Sequence, residues 1–143
     1  MSEEKKFSVE VELLRNYEFQ VTFHLEGVEG LIMDEPPPVG EGKGPNATSL
    51  ILAAVGNCLS ASLSFCLRKS RVEVKGMRTE VEGTIARNEE GRWRIKKIKA
   101  TLHPEVDEEQ RDRLERCIEI FERYCIATQS IRKGIDVEVE VIR

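Results

Sequence analysis

The stretch PNATSLILAAVGNCLSASLSFCLRKSR, residues 45–71, interrupts a chain that is 34% charged. Residues 46–67 carry no charged side chain, and a run of this length could cross a bilayer. The run also contains Thr48, Asn57 and four serines, and amphipathic strand patterns flank it on both sides. These features favour a helix buried in a globular core over a membrane span.

A helix of this length is about 33 Å long at the standard rise of an α-helix. A single domain of 143 residues can hardly surround such a helix, whereas two chains could bury it together. Small residues such as Ala53, Gly56 and Ala61 would allow close approach of another helix. The pattern therefore predicts a core shared between two chains, that is, a homodimer.

The length of the chain predicts a single domain over residues 1–143. Its net charge of −4 comes from 26 acidic and 22 basic residues spread along the whole sequence, so nucleic acid is not an expected partner. The N-terminus MSEEKKFSVEVE has no apolar segment typical of a secretory signal. We expect a cytoplasmic protein with no membrane partner.

Alternating apolar and polar residues outside the uncharged run predict strands. Residues 7–25 read as a hairpin, a third short strand lies near 30–34, and residues 71–87 and 92–103 read as a second hairpin. Three consecutive prolines and three glycines in DEPPPVGEGKGPN, residues 34–46, predict an exposed loop.

After residue 103 the apolar residues recur at intervals of three and four, which is the pattern of an amphipathic helix. Asp107 is a predicted N-cap and Gly134 a predicted end of the helical region. IDVEVEVI, residues 135–142, then reads as a closing strand. The fold class is therefore α+β, with antiparallel sheet and the order βββ-α-ββ-α-β. The apolar face of this helix comprises Leu114, Cys117, Ile118, Phe121, Tyr124 and Cys125.

Four cysteines occur as two pairs, Cys58 with Cys66 and Cys117 with Cys125, each pair eight residues apart on one predicted helix. Eight helical residues span about 12 Å, whereas disulfide Cα atoms lie within about 7 Å. Any disulfide must therefore join two helices or two chains. Four buried, purely structural thiols are the alternative.

No metal site is expected, because C-x-x-C is absent and the histidines lie in strand patterns far from the thiols. We interpret His24 and His103 as ordinary polar residues of their strands.

Two segments resemble the motifs of the OsmC/Ohr family of osmotically inducible and organic hydroperoxide resistance proteins. GPNATSLILAAVGNCLSASL, residues 44–63, is similar to the family's Pro, apolar helix and Cys motif, and RYCIATQSI, residues 123–131, is similar to its second cysteine motif. The resemblance implies an intertwined homodimer with two long central helices and a cysteine pair at each of two sites near the interface.

The resemblance also implies a cofactor-free thiol peroxidase of the stress response, which takes organic hydroperoxides as substrates and a thiol or dithiol as reductant. Cys58 matches the peroxidatic cysteine and Cys125 the resolving cysteine. Cys66 and Cys117 match no catalytic position, so we expect them to pack in the core.

The sequence departs from the family at the residues that activate the thiol. Burial raises the pKa of a cysteine, and Cys58, in mid-helix, is expected to have no helix N-terminus beside it. In peroxidase members of the family, an Arg held by a Glu activates the thiol. The position of that Glu is occupied here by Ser49, or by Thr48 if the alignment gap is placed differently. The family's Gly-Gly-Arg turn is also absent. Arg15 and Lys43 are the candidate substitutes for the Arg.

The second motif differs as well, since Ile126 replaces a common proline and Gln129 a frequent arginine. Two alternatives to a peroxidase therefore stay open. One is a non-catalytic binding or scaffold protein with this fold. The other is a cysteine redox sensor without turnover that signals through the DEPPPVGEGKG loop.

Overall fold

The structure is a computed structural model that describes residues 3–143. The described chain forms two compact units, of which the first ends at Leu50 and the second comprises Ile51–Arg143. Three strands, a long helix, two further strands and two shorter helices follow one another along the chain. The α+β class and its antiparallel sheets are confirmed.

A three-stranded antiparallel sheet forms the first unit, in the order β1 (Val9–Arg15), β2 (Glu18–Phe23), β3 (Leu31–Met33). Asn16 adopts a φ of 50° in the tight turn between β1 and β2, a conformation that asparagine tolerates better than most residues. The predicted first hairpin and third strand are both present.

The proline-rich loop that follows is organised around one carboxylate, that of the buried Asp34. This carboxylate accepts hydrogen bonds from the backbone N–H groups of Glu35 at 2.7 Å, Lys43 at 3.0 Å and Glu41 at 3.3 Å. The Lys43 N–H is the main cause of a pKa for Asp34 below its ordinary value, and the other two N–H groups act in the same direction. The loop is irregular, as predicted, and a single ionised side chain ties its two ends together.

α1 (Ala47–Lys69) is the predicted uncharged helix. Asn46 caps its start, because the Asn46 side-chain oxygen accepts the Ser49 N–H at 3.0 Å. Within the single chain only a stripe at helical spacing is buried and Phe65 is 63% exposed, so the burial of the rest of α1 by a second chain stays a prediction. By length and composition α1 could also span a membrane. The buried stripe comprises Val55, Gly56, Leu59, Leu63 and Leu67.

β4 (Gly76–Arg87) and β5 (Trp93–Glu105) pair along their whole length as the predicted second hairpin. α1 lies directly on β4, and two glycines permit this close approach. A Cβ at Gly56 would lie 2.7 Å from the Val81 side chain, and a Cβ at Gly83 would lie 2.8 Å from Leu52. The hairpin is therefore the surface that supports the cysteine-bearing helix.

The predicted second helix is broken into two. A 3₁₀ turn (Glu108–Gln110) leads into α2 (Arg111–Ile120), a second 3₁₀ turn covers Phe121–Tyr124, and α3 comprises Ile126–Lys133. The break occurs at Cys125, whose φ of −83° and ψ of 102° are extended. The physical reason is that Cys125 starts a new helix, because its sulfur caps the first turn of α3.

Two further predictions for this region can be compared with the structure. Asp107 precedes the first 3₁₀ turn but makes no side-chain cap, because its carboxylate pairs instead with Lys75 at 2.7 Å. Gly134 ends α3 with a φ of 80°, as predicted for a C-terminal glycine.

The predicted closing strand is not formed. Residues 135–142 pair with no strand among the described residues, and their apolar side chains are exposed, Val139 by 83%. A strand needs a neighbour to satisfy its backbone groups, and the described part of this chain provides none. The alternating apolar residues Ile135, Val137, Val139 and Val141 therefore have no partner strand within residues 3–143.

Candidate functional site

The second unit brings Cys58 and Cys125 together. Cys58 lies near the middle of α1, and Cys125 lies at the break before α3. Both sulfurs lie at the first turn of α3, where the Ala127 N–H donates to the Cys58 sulfur at 3.5 Å and the Thr128 N–H donates to the Cys125 sulfur at 3.4 Å. Two free thiols thus share one helix N-terminus.

This geometry corrects the expectation that Cys58 has no helix N-terminus beside it. Cys58 is in the middle of its own helix, but the start of α3 points at its sulfur. Unpaired N–H groups and the helix dipole make such an end favourable for negative charge. α3 is present there because Cys125 ends the preceding helical segment and starts the next one.

The two sulfurs differ in exposure and in hydrogen bonding. Cys58 is half-buried, whereas Cys125 is 0% exposed. The Cys125 thiol donates to the Thr128 hydroxyl at 3.0 Å. A small molecule can therefore reach Cys58 first, and the buried Cys125 thiol is held by its hydrogen bond to Thr128.

Burial is the main cause of a pKa for Cys58 above the ordinary value of a thiol. The neighbouring Cys125 thiol raises this pKa further, while the backbone N–H groups of Ala127 and Ile126 lower it. The start of α3 therefore opposes the effect of burial without cancelling it.

An open pocket of about 670 Å³ is linked to the cysteine pair through Thr128, which lines its wall and bonds the Cys125 sulfur, whereas neither cysteine lines it. Val55 and Leu59 of α1 and Phe121 before the break line the same pocket. Such a surface suits a substrate with an apolar body. Its other lining residues are Ile51, Ile95, Lys96, Lys97, Ile98, Lys99, Ala100, Leu102, Glu122, Ile131 and Arg132.

The other two cysteines are not free thiols. Cys66 and Cys117 form a disulfide between α1 and α2, with Cα atoms 5.8 Å apart. Both residues pack in the core as expected, but as a disulfide and not as thiols, because the two helices bring their side chains into bonding geometry. The inference that any disulfide must run between helices is confirmed.

Arg15 and Lys43, the two candidate cations, belong to the first unit. Arg15 donates to Glu18 at 2.6 Å, and the Glu18 side chain is only 8% exposed. A buried carboxylate therefore holds this guanidinium, although the position that matches the family's Glu is not acidic. The Lys43 ammonium is 3.9 Å from Glu41, and both side chains are exposed by more than half.

Ser49 and Gln129 have structural contacts at the ends of helices. The Ser49 N–H donates to the Asn46 cap of α1. The Gln129 side chain donates to the Glu122 carbonyl at 2.9 Å and so ties α3 to the turn before Cys125. Ser49, at the position that matches the family's Glu, supplies no acid, and Gln129, at the position of a frequent arginine, supplies no charge.

The histidines have the polar contacts expected of strand residues. His103 bonds Glu80 across the second hairpin at 2.9 Å, and His24 bonds Ser8 at 2.8 Å. Among residues 3–143, no group of His, Cys, Asp and Glu is arranged to hold a metal ion.

Two contact residues were not predicted from the sequence, Thr128 in the second unit and Glu18 in the first. Both had a spacing signal, because Thr128 follows Cys125 by three residues, as in a capped helix start, and Glu18 follows Arg15 by three. The Thr128 signal was hidden because an N-cap is usually oxygen-bearing and Cys125 supplies sulfur.

Comparison with known proteins agrees with this fold. An OsmC-like protein from Vibrio cholerae superposes with a TM-score of 0.76 at 14% identity, covering 89% of this chain and 94% of that one. An organic hydroperoxide resistance protein from Legionella pneumophila gives 0.66 at 17% identity, with 96% of each chain covered. OhrB of Bacillus subtilis, also an organic hydroperoxide resistance protein, gives 0.62 at 20% identity, covering 95% of this chain and 97% of that one.

At these identities the structural matches show the fold alone. No curated protein matches the chain. The sequence model of the family described as OsmC-like protein matches residues 40–140, which include both cysteines of the candidate site. The chain therefore belongs to the OsmC-like family.

Proposed function

We propose that the protein is a cysteine-based peroxidase that reduces organic hydroperoxides. The observation that carries this proposal is the placement of two free thiols, Cys58 and Cys125, at one helix N-terminus beside an apolar pocket. Family membership supports a redox role, and two of the structural relatives are organic hydroperoxide resistance proteins.

In the first step the Cys58 thiolate attacks the terminal oxygen of the hydroperoxide. An S–O bond forms as the O–O bond breaks, and the alkoxide leaves as an alcohol after taking a proton. Cys58 becomes a sulfenic acid. We assign this step to Cys58 because Cys125 is fully buried.

In the second step the Cys125 sulfur attacks the sulfenic sulfur of Cys58. The S–S bond forms, the S–O bond breaks and the oxygen leaves as water. The Thr128 hydroxyl, which accepts a hydrogen bond from the Cys125 thiol, orients this thiol, and the thiol proton leaves with the sulfenic hydroxyl in the water molecule. An external thiol or dithiol then reduces the disulfide by exchange.

The helix N-terminus of α3 would stabilise the Cys58 thiolate, and Arg15 is the better of the two candidate cations for lowering its pKa further. Its guanidinium is already held by Glu18, whereas Lys43 has only an exposed contact. Ser49 and Gln129 are proposed only as supports of the helix starts on which the two cysteines depend.

We further propose that the whole chain acts as one OsmC-like domain and as a homodimer. The family match crosses the boundary between the two compact units. The exposed apolar row of residues 135–142 and the exposed side of α1 are surfaces that a second copy would cover.

The fold is consistent with a cytoplasmic protein, which is the location we propose. A disulfide in that compartment is typical of hyperthermophiles. The small number of amide side chains, three Gln and four Asn, fits such a source.

A test of the peroxidase activity is the steady-state consumption of cumene hydroperoxide with a dithiol reductant. Wild-type protein should turn over many equivalents, Cys58→Ser should fall to the uncatalysed rate, and Cys125→Ser should react once and then over-oxidise. Unchanged turnover in Cys58→Ser would overturn the proposal.

A redox sensor is the second candidate, and the raised pKa of Cys58 favours it. A thiol that is mostly protonated at neutral pH reacts slowly. In the same assay a sensor would consume one equivalent per site and stop, even with dithiol present.

A further inference from the structure

The Cys66–Cys117 disulfide lies in a fixed relation to the candidate redox pair. On α1, Cys66 follows Cys58 by eight residues, and toward α3, Cys117 precedes Cys125 by eight residues. This symmetry is the register of two antiparallel segments, in which Cys66 faces Cys117 and Cys58 faces Cys125. The disulfide thus fixes the same two segments that must bring the free thiols into contact.

The disulfide is too far from the pair to exchange with it. Eight residues along α1 separate Cys58 from Cys66 by about 12 Å, and Cys117 is 1% exposed. Thiol–disulfide exchange requires direct attack of one sulfur on another. Electrons therefore do not pass between the two pairs in the folded chain.

The segment that carries Cys125 depends on its anchors. It runs through a 3₁₀ turn and an extended residue, where a continuous helix would have held Cys125 by regular hydrogen bonds. At the other end of α2, Arg113 donates to the Ser70 carbonyl after α1 at 3.1 Å. The Cys66–Cys117 bond attaches α1 covalently to α2. Only the 3₁₀ turn Phe121–Tyr124 then separates α2 from the break at Cys125.

We propose that the Cys66–Cys117 disulfide is a positioning staple for the Cys58–Cys125 pair. It holds α2 against α1 so that Cys125 meets Cys58, and it takes no part in the electron transfer. This inference rests on the proposed redox pairing of Cys58 and Cys125.

The test is the equilibrium between the Cys58–Cys125 pair and glutathione, which needs no hydroperoxide. One molecule of oxidised glutathione loses its S–S bond, the two protein thiols form one, and their protons end on two molecules of reduced glutathione. Alkylation of the free thiols and peptide mass mapping measure the pair separately from Cys66 and Cys117 at each buffer ratio.

Removing the staple should make the Cys58–Cys125 disulfide easier to reduce. In Cys66→Ala/Cys117→Ala its equilibrium constant with glutathione should fall about tenfold, a shift of about 30 mV for this two-electron couple. Cys66→Ala/Cys117→Val, which restores packing volume without the bond, should show the same loss. Wild-type behaviour in the Ala/Val variant would show that packing alone positions the pair, and would overturn the proposal.

A control separates positioning from general stability. Val72→Ala removes buried volume from the same core, where Val72 is 2% exposed, and replaces no cysteine. It should lower the melting temperature and leave the glutathione equilibrium within about twofold of wild type, since the staple is intact. An equal loss in Val72→Ala would contradict a specific role for the staple.

The glutathione test is independent of peroxidase activity. A protein that forms the Cys58–Cys125 disulfide in glutathione buffer but does not consume hydroperoxide would contradict the proposed function. The proposed positioning role of the Cys66–Cys117 disulfide would still hold. A wild-type pair that never closes would overturn both proposals.

Discussion

At the scale of single residues, the side chain that distinguishes this site is Thr128. Its backbone N–H donates to the Cys125 sulfur, and its hydroxyl accepts from the Cys125 thiol. Replacing the hydroxyl leaves the first contact and removes the second. Substitutions at Thr128 therefore distinguish the effect of the helix cap from that of the hydroxyl as a hydrogen-bond acceptor.

Thr128→Val should slow the step in which Cys125 attacks the oxidised Cys58. The loss of one hydrogen bond of about 1 kcal/mol predicts a rate about fivefold lower. Rapid-mixing measurements of the lifetime of the Cys58 sulfenic acid would detect this change. Thr128→Ser keeps the hydroxyl and should retain the wild-type rate, and a slow Thr128→Ser variant would argue against a role for the hydroxyl.

The reactivity of Cys58 should rise with pH. Because burial raises its pKa, the thiolate becomes populated only above the ordinary range of a thiol. The half-point of its alkylation should therefore lie above the value of about 8.5 for a free cysteine. Peptide mass mapping after timed alkylation assigns the rate to Cys58.

A half-point below that of a free cysteine would contradict this expectation and would show a cation at the sulfur. Arg15→Ala would then raise the half-point if Arg15 is that cation, whereas Lys43→Ala is the matched control and should leave it unchanged.

The motif cysteines were predictable at this scale because their order and spacing along the chain are explicit in the sequence. Their environment was not, because it depends on the break at Cys125. Heptad-like apolar spacing from Leu114 to Cys125 is compatible with one continuous helix, and only the sulfur cap on Thr128 shows where the second helix starts.

At the scale of elements, the position of Cys58 depends on how closely α1 packs on β4. Gly56 lies two residues before Cys58, and a Cβ there would be 2.7 Å from the Val81 side chain. Gly56→Ala should lower the free energy of unfolding by about 1 kcal/mol, because overpacking costs more than the helix propensity of alanine returns. Chemical denaturation measures the change.

Val81→Ala provides the matched background, since it removes the methyl group that the new Cβ would meet. In that background Gly56→Ala should be neutral or stabilising. An equal penalty in both backgrounds would show that the close contact with Val81 is not the cause.

The strands and α1 were predictable because alternation and an unbroken apolar run are local properties of the sequence. The Cys66–Cys117 disulfide was not, because residues 51 positions apart meet only after α1 and α2 pack. The final strand was predicted from the same local alternation, but a strand also requires a neighbour.

At the scale of the whole molecule, residues 135–142 present an exposed row of β-branched side chains. We expect this segment to add a strand to a second copy of the chain. Light scattering during size exclusion should give the mass of a dimer for the full chain. Val139→Glu should shift the protein toward a monomer, because it places a charge in the apolar row.

Glu138→Gln changes the opposite side of the same segment and should leave the dimer intact. A monomeric wild type, or a dimer unaffected by Val139→Glu, would contradict this role for the C-terminal segment.

The central claim is that Cys58 and Cys125 form one redox pair. The most direct test is to treat the reduced native protein with one equivalent of organic hydroperoxide, block the remaining thiols and map the disulfides by peptide mass. We predict a peptide linking Cys58 to Cys125, with Cys66 still bonded to Cys117. A Cys58 that remains an unmodified thiol while hydroperoxide is present would contradict the claim.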